Sequence, residues 1–205
     1  MISYIYGFPI YITKVSNKEI IYKEIKDNVK LDYLSPWKAN CLTSSTKDKS
    51  NVFRSKIVKD EITKHMKILI SKLNVDIDLG IKLPECTTID CTYCDDMWVN
   101  MYKKGHCQET HMHTSNHEGE ADPLFSFAYF AKYNPVKDAK FIFVNPTPPT
   151  PCKKLEKLSC YKREIIMDVE EGDLIFFPSI LPHRVSTHTN TEPRVTISGN
   201  FYKKA

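Results

Sequence analysis

The sequence predicts an α+β chain that is mainly β: a β-sandwich or small barrel with two N-terminal helices packed on one face. Two early stretches repeat apolar residues at helical spacing, and after Pro84 the chain carries seven or eight short β-branched and aromatic runs separated by Pro, Gly and Asn. The 205 residues fit one domain, 1–205, in which 1–84 supplies a strand and the helices and 85–205 the β core. No internal repeat is present.

Residues 1–15 alternate aromatic, Ile and small side chains around Pro9, which suits an edge strand. Ser16 and Glu19 have the spacing of a capping box. A helix should follow to about Asn28, with Ile20, Ile21, Ile25 and Val29 on its apolar face. Residues 31–50 are polar and turn-rich, and 43–50 read as a solvated loop. From Val52 to Leu73 the helical spacing returns in Phe53, Ile57, Ile62, Met66, Leu69, Ile70 and Leu73. His65 stands among lysines there and is expected at the surface. The strand-like runs are 87–93, 97–102, 125–133, 140–144, 161–169, 173–177, 184–186 and 194–202. The proline-rich 145–151 cannot pair in a sheet and is expected as an exposed loop beside a pocket.

Composition narrows the class of function. A net charge of +4 from scattered lysines does not form the basic stripe that nucleic-acid binding needs. No apolar run reaches the ~20 residues of a membrane span, and the start of the chain lacks a signal-peptide pattern, so a cytoplasmic protein without membrane contact is expected. The 7 Cys are odd in number and are read as reduced thiols. Cys91 and Cys94 have ligand spacing, with Cys86 and Cys107 nearby, but no second CxxC follows to complete a zinc site.

The chemistry concentrates in Trp98 to His113. An extended His111-Met112-His113 turns both imidazoles to one side and Met112 to the other. Neutral imidazoles bind first-row metals, and a site that leaves room for substrate usually takes three protein ligands. The third is expected from the run ending Phe177-Pro178-Ser179-Ile180-Leu181-Pro182-His183, where Gly172-Asp173 feeds an apolar strand. Eleven residues further on, Arg194 opens another strand. If His183 and Arg194 lie on neighbouring antiparallel strands, the guanidinium stands beside the metal, and its fork of donors suits a carboxylate.

His111, His113, His183 and Arg194, in this order and spacing, resemble the iron(II)- and 2-oxoglutarate-dependent dioxygenases, nearest to bacterial and phage oxygenases with the Phe-Pro-Ser-x-x-x-His ending. The lead-in Asn100-x-Tyr102-x-x-Gly105 is similar to the cosubstrate strand of prolyl hydroxylases and alkylated-base repair dioxygenases. The resemblance covers roughly 98–201 and implies a double-stranded β-helix of the jelly-roll or cupin-like type. It further implies Fe(II) held by His111, His113 and His183. It implies 2-oxoglutarate bound by Arg194, Tyr102 and Asn100, and hydroxylation of a small molecule, peptide or nucleotide with release of succinate and CO2. His113 departs from the family, which places Asp or Glu there, and removes one negative charge from the metal centre.

The same residues also resemble the cupins. Gly105-x5-His111-x-His113-x4-Glu118 follows one cupin motif up to its closing Gly, replaced by Phe125. Gly172-x5-Pro178-x4-His183 follows the other, with Ile180 for its Gly and Thr187 for its Asn. That alternative makes Glu118 a fourth ligand in a dioxygenase or isomerase that needs no 2-oxoglutarate, and a non-catalytic binding barrel is the third reading. Arg194 favours the oxygenase, because a cupin has no general use for it. His106, His117 and His188 read as loop histidines and Tyr129 as core packing. An edge strand left in the β-rich half would allow a homodimer.

Overall fold

The computed structural model describes residues 2–31, 33–34, 39–44, 53–78, 94, 97–114, 122–147, 158 and 161–202. The expected strand 87–93, together with Cys86, Cys91, His117, Glu118 and Pro148–Pro151, lies outside them.

Two antiparallel sheets face each other. The order along the chain is β1 (Ile2–Ile5), β2 (Phe8–Lys14), α1 (Lys18–Asn28), β3 (Tyr33–Leu34), β4 (Ala39–Asn40), β5 (Leu42–Thr43), α2 (Lys56–Asp78), β6 (Met97–Tyr102) and β7 (Cys107–His111). β8 (Phe125–Lys132), β9 (Phe141–Val144), β10 (Glu164–Ile166), β11 (Asp173–Pro178), β12 (His183–Val185) and β13 (Arg194–Phe201) follow. The larger sheet has eight strands in the order β1-β2-β11-β8-β13-β6-β5-β3, and the smaller has five in the order β10-β9-β12-β7-β4. From β6 onward the chain passes repeatedly from one sheet to the other, which is the jelly-roll path.

Strand alternation explains why the larger sheet is buried on both faces. Phe127, Tyr129, Leu174, Phe176, Val195, Ile197 and Phe201 join Ile21, Ile25, Ile62, Met66 and Leu69 of the two helices in one apolar cluster. Their sequence neighbours Ala128, Phe130, Ile175 and Phe177 point the other way and meet Phe141, Phe143 and Val185 of the smaller sheet. Both helices therefore cover one face of the larger sheet, as expected, and the interior between the sheets is left for the site.

Several local expectations are corrected. Residues 2–14 form a hairpin turning at Tyr6 and Gly7, both at positive φ, with β1 at the sheet edge and β2 paired to β11. Pro9 lies beyond the stretch of β2 that pairs with β11, so its missing N–H breaks no ladder there. The capping box does not form: Asn17 is the N-cap, and no side chain caps α1. Ile20 and Ile57 are exposed, while Val58 is buried in place of Ile57. Phe53 precedes α2 and bridges to Met97. His65 is only 8% exposed, since it follows Ile62 by three residues and precedes Leu69 by four, which places it on the inner stripe. Thr43 and Ser44 are buried, and Ser44 accepts a hydrogen bond from Val99 N at 2.8 Å, so β5 replaces the start of the expected loop.

Candidate active site

Two cross-strand pairs, one in each sheet, build the site. In the smaller sheet His183 of β12 pairs directly with His111 of β7. In the larger sheet Arg194 of β13 pairs directly with Tyr102 of β6, followed by Thr196 with Asn100 and Ser198 with Trp98. His183 and Arg194 are thus not on neighbouring strands, contrary to the expectation from sequence. Residues 186–193 carry the chain from one sheet to the other, so the two side chains face the same interior from opposite walls. Of the eight residues named here, all but Thr196 and Ser198 are legible as candidates or as strand lead-in from the sequence.

His111, His113 and His183 converge. Their candidate ligand nitrogens all lie within 4.8 Å of one another. Ring centroids are 4.2 Å apart for His111 and His183, 5.0 Å for His113 and His183, and 5.3 Å for His111 and His113. Met112 between the first two is exposed, as an extended segment requires. Each ring has an oxygen near Nδ1: Glu109 O at 2.9 Å from His111, Asn200 Oδ1 at 2.6 Å from His113, and Leu181 O at 2.9 Å from His183. An Nδ1–H donated to these acceptors leaves the Nε2 lone pair for a metal, the tautomer that outer partners usually enforce.

Burial keeps His113 and His183 neutral. His113 is held at about 4 by desolvation first and by His111 second, against the bond to Asn200. His183, packed against Phe177 at 4.7 Å and Phe141 at 5.5 Å, lies well below the usual imidazole value by desolvation and then by the other two rings. Between such a lowered value and the ordinary ~6.5 the unfolded chain binds more protons than the folded one, so stability rises with pH across that window. The metal-free protein should therefore lose stability as pH falls from ~6.5 towards 4, by roughly 3 kcal/mol from His113 alone. Urea midpoints measured across this range would show the slope, and a His113→Gln variant should lack most of it. Equal slopes in the two proteins would mean that the ring is solvated.

Arg194 stands opposite. It is 1% exposed, and among the described residues its Nε and Nη1 are buried without a hydrogen-bond partner. Its guanidinium carbon lies 4.7 Å from the Tyr102 ring centroid, 5.4 Å from Phe130 and 5.6 Å from Tyr133. Desolvation lowers its pKa from the usual guanidinium value, while Tyr102 and Tyr133 oppose the shift. Buried donors with no acceptor are costly unless a ligand supplies one, and planar N–H pairs match a carboxylate. Asn100 is buried on the same wall, its Oδ1 4.0 Å from Cys41 Sγ. Tyr102 donates to Gln108 Oε1 at 2.9 Å, and burial raises its phenol pKa far above normal.

The cleft between these walls is lined by His111, His113, His183, Arg194, Tyr102 and Asn100, with Trp98 and Gln108 among the others. Three imidazoles offering neutral nitrogens suit Fe(II), and the unpartnered donors of Arg194 suit the far carboxylate of a small dicarboxylic acid, so the residues fit both groups. Sequence reading missed Gln108, Asn200, Ser126 and Ser179. Ser126 Oγ lies 2.8 Å from Asn200 Oδ1, 2.9 Å from His113 Nδ1 and 2.8 Å from Ser179 Oγ. The only signal for them was strand parity, since Asn200 shares the face of Arg194, Thr196 and Ser198. Two histidines outside the cluster, His188 and His106, have structural partners. His188 is buried, accepting from Ala139 N and bonding Glu192 O, and His106 accepts from Lys103 N in a turn.

A cluster of neutral imidazoles facing a buried cation across a jelly roll is the equipment of a metalloenzyme that takes an anionic cosubstrate. Residues 96–200, just over half the chain, match the family model described as "Putative 2OG-Fe(II) oxygenase", and the protein belongs to this family of iron(II)- and 2-oxoglutarate-dependent oxygenases. Solved structures with the same fold include the viral collagen prolyl hydroxylase of Paramecium bursaria Chlorella virus-1 in its 2-oxoglutarate complex. It is 13% identical, with 95% of this chain and 96% of that chain covered and a TM-score of 0.58. A Pseudomonas putida prolyl-4-hydroxylase is 11% identical over 96% and 93%, with a TM-score of 0.57. HygX from Streptomyces hygroscopicus, with nickel, 2-oxoglutarate and hygromycin B bound, is 11% identical over 95% and 83%, with a TM-score of 0.54. At these identities the likeness speaks for the fold, a double-stranded β-helix. No curated protein sequence matches the chain. Among the described residues no helix is long and apolar enough to cross a membrane.

Proposed function

We propose that the protein hydroxylates an organic substrate, with His111, His113 and His183 holding Fe(II) and Arg194, Tyr102 and Asn100 holding 2-oxoglutarate. The observation that carries this is the buried Arg194, whose Nε and Nη1 lack partners among the described residues and which lines the same cleft as the three imidazoles. When bound, Fe(II) and 2-oxoglutarate supply the oxidising chemistry, in which one atom of O2 enters the substrate C–H bond and the other enters succinate as CO2 leaves.

The chain's own residues bind, orient and exclude water. Arg194 neutralises the distal carboxylate and fixes the length of cosubstrate that reaches the imidazoles. Phe141 and Phe177 press on His183 and keep that side of the centre dry. Trp98, whose ring centroid lies 5.7 Å from that of His113, forms part of the wall against which a substrate would sit. HygX was solved with hygromycin B, which supports a small molecule within the proposed substrate range. We further propose that 1–205 acts as one cytoplasmic domain, and that β1, at the end of the larger sheet, is the edge along which two copies would pair.

Anaerobic addition of Fe(II) and 2-oxoglutarate should produce a metal-to-ligand charge-transfer band in the visible, and admission of air should yield succinate. Metal binding without any response to 2-oxoglutarate would return the chain to the cupin-type reading, and absence of metal binding to a plain binding barrel.

A further inference from the structure

Gln108 precedes His111 by three residues, a spacing that puts two side chains on opposite faces of a regular strand. Here both line the cleft. The register gives the reason: His183 pairs with His111, but Val185 pairs with Gln108, so β7 carries one more residue than β12 between these pairs. Bulges of this kind re-aim a side chain and are common beside active sites.

The re-aimed carboxamide joins the two halves of the site. Its Oε1 accepts from Tyr102 at 2.9 Å, and its Nε2 stands 3.3 Å from His111 Nε2. His111 Nδ1 faces Glu109 O at 2.9 Å, so the lone pair on His111 Nε2 is the acceptor for the amide N–H. A metal ion and that N–H cannot both use this lone pair. Once a metal took it, the amide would need another acceptor in the cleft. A carboxylate of a keto acid held by the imidazoles and Arg194 would supply one.

We infer that Gln108 is a cosubstrate-binding residue: its amide guards His111 Nε2 in the ligand-free chain, is displaced by the metal, and then donates to a carboxylate of 2-oxoglutarate. The inference rests on the functional reading above. It makes metal binding the first step and couples cosubstrate to metal, since each must then tighten the other by the same factor.

The test is isothermal titration of the full chain with Ni(II), which is insensitive to oxygen, and then of the Ni(II) form with 2-oxoglutarate. Gln108→Leu keeps the volume and removes the amide. Ni(II) alone should bind about 2–10-fold more tightly to this variant, because no hydrogen bond is displaced, while 2-oxoglutarate should bind about 10-fold more weakly. These opposite shifts are not expected of a residue that only supports the fold. Gln108→Glu keeps an acceptor for Tyr102 but replaces the donor with a negative charge, and should weaken 2-oxoglutarate further than Leu does. Cosubstrate affinity equal to wild type in either variant that folds would overturn the inference. A wild-type chain that binds Ni(II) but not 2-oxoglutarate would overturn the functional reading itself, and would be recognised before any variant is compared.

Discussion

Arg194→Met is expected to leave metal binding intact while weakening 2-oxoglutarate by about 100-fold or more, as is typical when one partner of a buried charge pair is removed. The guanidinium is 1% exposed and sits among Tyr102, Phe130 and Tyr133, so water cannot replace it as a partner for the distal carboxylate. The same substitution should raise the melting temperature of the ligand-free protein. A buried cation whose Nε and Nη1 have no acceptor among the described residues destabilises the fold, and Met fills much of its volume without that penalty. Thermal denaturation with and without 2-oxoglutarate, in the presence of Ni(II), reads both effects. A variant that is still stabilised by the cosubstrate would remove Arg194 from the binding site.

Asn200→Leu should reduce metal affinity by about 10–100-fold, the usual consequence of removing the partner that orients a ligating histidine. Asn200 Oδ1 lies 2.6 Å from His113 Nδ1 and also accepts from Ser126, so it fixes both the tautomer and the ring angle. Its importance follows from the departure at His113. Where the family's carboxylate would carry charge to the metal, this chain has a neutral ring polarised by a neutral amide. Asn200→Asp should therefore strengthen metal binding, because a carboxylate on Nδ1–H makes the imidazole a better donor. Competition titrations against a chromophoric chelator would separate the two variants. If both bind as wild type does, His113 is oriented by something other than Asn200.

The sequence located its chemistry well because the chemistry is local in pattern. Alternation around His111-Met112-His113 turned both rings one way, and the structure keeps Met112 exposed and the rings 5.3 Å apart. Alternation in 97–102 and 194–201 likewise sorted Trp98, Asn100 and Tyr102, and Arg194 and Thr196, onto single faces. What failed was local too. The capping box had the right residues but no bond, and Ile57 fell outside the buried stripe because Val58, not Ile57, stands four residues before Ile62.

Residue order alone determined that this chain has two amphipathic helices, a series of short strands, and three histidines followed by an arginine at oxygenase spacing. Only the tertiary structure decided which wall each side chain occupies. Period-2 alternation says which residues share a face, but the larger sheet is covered by helices on one side and by the smaller sheet on the other, so the polar face of β13 turns inward. That inward turn sets Arg194 and Asn200 against histidines of distant segments, and one extra residue in β7 brings Gln108 to join them. Both depend on contacts between strands far apart in the chain, which no single strand's pattern contains.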